Sequence, residues 1–150
     1  MFPGASPLTL VALAAWAATA ALGGNLLLRG KAYRLFLYAV SARTLSGPRP
    51  PIVRAALMGL HFLGAVSGLI LWIGYCLSDR QALAEGALIL LGGVALLGIT
   101  VVDRWHGSGR HARQQGDGHG FPVWSATIHV MAATTTIVLV ALITMLHVGA

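Results

Sequence analysis

Acidic residues are scarce in this chain: four Asp and Glu among 150 residues, against ten Lys and Arg. Asp79, Glu85, Asp103 and Asp117 all fall at the ends of apolar runs or between them. No carboxylate is therefore expected deep in a membrane, which argues against a proton-coupled transporter. Charge of either sign is sparse. Charged residues make up 9% of the sequence, where soluble domains carry about 25%. The single cysteine, Cys76, excludes an internal disulfide and says nothing about redox compartment. There is no GxSxG, no HExxH and no phosphate-binding loop, so nothing points to a hydrolase or an ATPase. No internal repeat stands out.

Hydrophobic residues fill the space left by charge. They are 57% of the chain, mean hydropathy is +0.78, and they fall in runs of about 20, the length that crosses a bilayer core. The expected fold is all-α: an integral membrane four-helix bundle, up-and-down, in one transmembrane domain. The spans are expected at 8–28, 52–77, 83–102 and 122–148, joined by long loops at 29–51 and 103–121 and by a short turn at Ser78–Gln81. The first run has no Lys or Arg before it, so it reads as a retained helix and not as a cleavable signal peptide. Between spans one and two, Tyr33, Leu35, Phe36, Leu37, Tyr38 and Val40 are interleaved with basic residues. That composition suits a short helix lying at the membrane surface.

The basic residues set an orientation. Arg29, Lys31, Arg34, Arg43, Arg49 and Arg54 precede or open span two, and Arg104, Arg110 and Arg113 follow span three. The 78–81 turn holds only Arg80. Lys and Arg collect in cytoplasmic loops, so both termini are expected outside the cytoplasm, with the bacterial inner (plasma) membrane as the expected location. A net charge of +6 is then a topology signal and not a sign of nucleic-acid binding.

Two histidines stand well inside spans. His61 is seven residues after Arg54 and His129 is seven after Pro122. At a rise of about 1.5 Å per residue, both lie roughly 10 Å from the cytoplasmic ends of two parallel, diagonal helices. Small residues share their stripes: Gly64 and Gly68 above His61, and Ala132, Ala133 and Thr136 above His129. Such a pair describes a flat cavity between two imidazoles, with Arg54 at the wet end to meet an anionic group. A haem with its propionates has that shape, and a guanidinium–carboxylate contact is a strong one.

In His61, His129, the glycines beside His61 and their diagonal placement, spans two and four resemble the membrane-embedded b-type cytochromes. In that family a four-helix bundle holds haem b between histidines of two helices. The resemblance implies one haem b ligated by His61 and His129 and one-electron transfer, with quinone a candidate partner, in a respiratory or redox complex with other membrane subunits. The chain would then be the electron-transfer subunit of an oxidoreductase. Only His147 lies near the opposite face, so one bis-histidine haem is the most that is supported. A pigment such as chlorophyll, which needs a single imidazole, is a variant of this reading. The competing expectation is a cofactor-free accessory subunit of a larger membrane complex, in which both histidines make helix–helix hydrogen bonds. His106, His111 and His119, with Asp117, match no compact metal-ligand spacing.

Overall fold

The computed structural model describes the backbone of residues 6–29, 52–112 and 123–148 and the side chains of 6–28, 56–103 and 124–146. The described residues form four helices: α1 (Pro7–Arg29), α2 (Ile52–Ser78), α3 (Gln81–Ala112) and α4 (Val123–Val148). Each contains a window of 22 or 23 residues long and apolar enough to cross a membrane: Pro7–Leu28, Ala56–Ser78, Gln81–Asp103 and Trp124–Leu146. The surface-helix expectation and the whole 29–51 loop lie outside the described residues, Arg29 excepted as the last residue of α1.

Local chemistry explains where the helices begin and end. Ser6 caps α1: its hydroxyl accepts from the Thr9 N–H at 3.2 Å, and Pro7 occupies the first helical position, where no backbone donor is needed. At the far end of α2, Asp79 takes a positive φ of 55°. Its N–H donates back to the Tyr75 carbonyl at 2.8 Å. This is a left-handed helix stop, one that Asp tolerates better than most residues. Two residues later α3 starts, so α2 and α3 are forced side by side. α3 then runs past its apolar window to Ala112, into the stretch read from sequence as loop. No proline interrupts residues 103–112, and a helix leaving lipid can continue in water.

α2 packs along α3 and α1 along α4, with slimmer contacts between α3 and α4 and between α1 and α2. Among the described residues no Cα of α2 comes within 8 Å of one in α4, nor one of α1 within 8 Å of one in α3, so each of these pairs lies on a diagonal. Glycines bring α2 and α3 together. A Cβ at Gly64 would stand 2.7 Å from Val94, one at Gly86 3.2 Å from Leu71, and one at Gly74 3.3 Å from Leu83. Without a hydrophobic force between helices in lipid, such close approach is what holds a membrane bundle together.

The core is uneven. Trp16, Trp72, Tyr75, Thr136 and Val140 are buried in the half nearer the 79–80 turn. There the Trp72 ring lies 6.5 Å from that of Trp16 and 5.1 Å from that of Tyr75, both tilted. In the other half, beyond Gly68 and Thr136, only Gly59, Val94 and Ala126 are buried among the described residues. Large apolar side chains such as Ile70, Ile89, Leu96 and Met131 face outward. In water that surface would be a severe liability; in lipid it is the required one.

The threonines close their own polar books. Thr134, Thr135, Thr136 and Thr144 each donate to the carbonyl four residues earlier, as expected for hydroxyls in an apolar helix. Gln81 donates to the Thr144 carbonyl at 3.0 Å and ties the start of α3 to α4.

The α2–α3 seam predicts a contrast. Gly64→Val forces a branched side chain into Val94 and should lower thermal stability in detergent by about 1–3 kcal/mol, as overpacking does. Gly92→Ala, with nothing within 4 Å of the new Cβ, should be neutral or stabilising by up to about 1 kcal/mol.

Candidate functional site

His61 and His129 sit in the loosely packed half of the bundle, one on each of the diagonal helices α2 and α4. Both are half-buried. Neither imidazole is held by its own helix. His61 Nδ1 lies 2.9 Å from the main-chain oxygen of Val94 on α3. His129 Nδ1 lies 3.1 Å from that of Thr19 on α1. A carbonyl can only accept, so each Nδ1 must carry the proton. That leaves each Nε2 as an unprotonated lone pair in the neutral ring. No described residue takes either Nε2 as a partner, and neither nitrogen is among the buried atoms without a hydrogen bond.

Both rings also rest on a glycine. A Cβ at Gly98 would meet His61 Cε1 at 3.1 Å, and one at Gly23 would meet His129 Cε1 at 3.0 Å. Gly98 and Gly23 each lie one helical turn beyond the accepting carbonyl, so carbonyl and glycine form one shelf under each ring. The sequence reading missed both glycines, because it followed the stripes of α2 and α4 and not the surfaces that face them.

The other residues expected at the site have their own places. Gly64 is covered by Val94, and Gly68 by the Trp16 indole at 3.0 Å and Leu90 at 3.5 Å, measured from a Cβ built on the glycine. These two glycines seat neighbouring helices. Thr136 is buried, and its hydroxyl lies 3.1 Å from that of Thr19 on α1. Ala132 and Ala133 are half-buried beside it. Arg54 is in the first turn of α2, and its side chain lies outside the described residues. So do the side chains of His106, His111, His119 and Asp117.

On the outer face of α2 and α3 there is an apolar groove of about 1000 Å³, lined by Leu60, Leu63, Ile89, Leu96 and Ile99, with Ser67, Thr100 and Asp103 as its polar members. It includes neither histidine, and its lining suits lipid chains. Among the described residues, no group of three or more His, Cys, Asp or Glu could hold a metal ion. A two-imidazole arrangement is a different donor set, suited to a metal whose remaining ligands come from a macrocycle.

No protein-family model, no curated protein sequence and no solved structure matches the chain.

Proposed function

We propose that this chain is a membrane b-type cytochrome or cytochrome-like subunit, an up-and-down four-helix bundle that holds one haem b between His61 and His129. The observation that carries the reading is the shared hydrogen-bond state of the two rings. Histidines that ligate metals almost always donate the other ring N–H to a carbonyl, carboxylate or water, which fixes the tautomer and raises basicity. Both imidazoles here meet that requirement on main-chain carbonyls, with Nε2 the free donor atom. The loose packing around them, in the half away from the Trp16–Trp72–Tyr75 cluster, supports the same reading.

In this proposal His61 and His129 would hold the haem iron, and the Val94 and Thr19 carbonyls keep the rings in place. The apolar walls keep water and ions away, which strengthens every local electrostatic interaction. Arg54, at the basic end of α2, is the proposed propionate partner. Haem supplies one-electron chemistry when bound, and its potential is tuned by axial ligands, hydrogen bonding and burial. With two protein histidines as its ligands, a bound haem would serve electron transfer in preference to oxygen binding. Quinone and other membrane subunits of a respiratory or redox complex are the proposed exchange partners. The proposed setting is a bacterial inner membrane with both termini outside the cytoplasm.

One observation favours a second reading. The same two hydrogen bonds join α2 to α3 and α4 to α1, so in a cofactor-free accessory subunit they would be structural ties between helices. The readings part on hemin titration of the purified apoprotein in detergent. Saturation at one hemin per chain with a six-coordinate low-spin spectrum supports the cytochrome. Absence of a saturable spectral change leaves the accessory subunit.

A further inference from the structure

The two histidine environments match one another element by element. His129 on α4 bonds the Thr19 carbonyl of α1 and lies on Gly23. His61 on α2 bonds the Val94 carbonyl of α3 and lies on Gly98. The offset between α1 and α3 is constant at 75 positions (19 to 94, 23 to 98). At that offset Ala12 meets Ala87, Leu22 meets Leu97 and Arg29 meets Arg104, and Trp16 and Leu91 are both buried. Between α2 and α4 the offset is 68 (61 to 129). It carries four of the five buried positions of α2 among the described residues, Gly68, Trp72, Tyr75 and Cys76, onto Thr136, Val140, Ile143 and Thr144, which are all buried too, while the fifth, Gly59, meets the exposed Thr127. The larger seams, α2–α3 and α4–α1, exchange under the same operation.

We infer that the bundle is built from two equivalent helix pairs, and that each supplies one copy of a single cassette: a histidine, the carbonyl that fixes its tautomer and a glycine that seats its ring. The operation relating them exchanges α1 with α3 and α2 with α4, so its axis runs along the bundle between the two imidazoles. A ligand held by both Nε2 atoms lies on that axis. Its class would be a metallo-tetrapyrrole held by two equivalent imidazoles, which rests on the haem reading above. Gly23 and Gly98 are positioning residues. A methyl group at either would push Cε1 outward by a few tenths of an ångström and strain the Nδ1–H bond to the carbonyl.

The test uses the full chain in detergent, ¹⁵N-labelled, with Gly23→Ala, Gly98→Ala and, as control, Gly92→Ala. Histidine ring ¹⁵N spectra are assigned with His61→Gln and His129→Gln. The inference expects both wild-type rings in the Nδ1–H tautomer. It expects Gly98→Ala to move only the His61 signals, Gly23→Ala only those of His129, and Gly92→Ala neither. Hemin affinity should fall by a similar factor, about tenfold, in both cassette variants, the effect typical of disturbing a ligand's supporting shell. An Nε2–H tautomer on either ring in the wild type overturns the inference, whether or not the variants fold. So does a large loss of affinity in one glycine variant beside none in the other. If the ring signals behave as stated but the wild type takes no hemin, the duplicated cassette stands and the haem reading falls. If hemin binds but the glycines act unequally, the haem reading stands and the equivalence falls.

Discussion

If His61 and His129 hold haem as proposed, alanine at either is expected to abolish the six-coordinate b-type spectrum and to lower hemin affinity by on the order of 100-fold or more. That is at least the upper end of what disturbing a supporting shell costs, since here a ligand itself is lost. The fold should survive both changes. Each histidine contributes one hydrogen bond between helices, and such bonds in membrane proteins average about 0.6 kcal/mol. The accepting carbonyls of Val94 and Thr19 lie in helix interiors and keep their own helical bonds. Thermal unfolding in detergent should therefore move little while the visible spectrum is lost. A purely structural role costs the same small amount of stability in both variants and has no spectrum to lose, so the spectrum is the readout that separates the two.

The second large effect is at Trp72. Its side chain is 0% exposed and touches both Trp16 and Tyr75. Trp72→Ala removes an indole from the best-packed part of the bundle, and buried aromatic-to-alanine changes cost about 3–5 kcal/mol. Trp124, 81% exposed on α4, gives the comparison: Trp124→Ala should cost less than about 0.5 kcal/mol. Trp72→Phe separates packing from polarity. The buried Trp72 Nε1 has no partner among the described residues, and an unsatisfied buried donor costs about 1–3 kcal/mol. Phenylalanine gives up volume but removes that donor, so its loss should be well below that of alanine. Equilibrium unfolding of the four proteins in one detergent measures the series.

The membrane-spanning helices were legible in the sequence because a run of about 20 apolar residues has few other uses. The place of the two histidines inside their helices was legible for a related reason: helical rise is fixed, so counting residues measures distance along a helix. Their partners were not. Val94 and Thr19 act through main-chain oxygens, which every residue has, and no side-chain pattern marks the carbonyl that will be used. Gly64 and Gly68 looked like the walls of a slot because they share a stripe with His61. They are instead covered by Val94 and Trp16, since a glycine on a membrane helix serves close packing as readily as it borders a ligand. The inferred equivalence of the two helix pairs is hard to see in the sequence because the matched buried positions of α2 and α4 hold unlike residues: Gly68 and Thr136, Trp72 and Val140. Burial and hydrogen bonding align them where residue identity does not. The extension of α3 to Ala112 was missed because hydropathy reports where lipid ends, and a helix need not end there.

The central claim is that His61 and His129 together hold one haem. Its most direct test is a reduced-minus-oxidised visible spectrum of the protein purified from cells supplied with haem precursor, with haem counted per chain. The account predicts a b-type difference spectrum at one haem per chain, absent from both alanine variants. A colourless protein from haem-replete cells, folded and monodisperse, would contradict it.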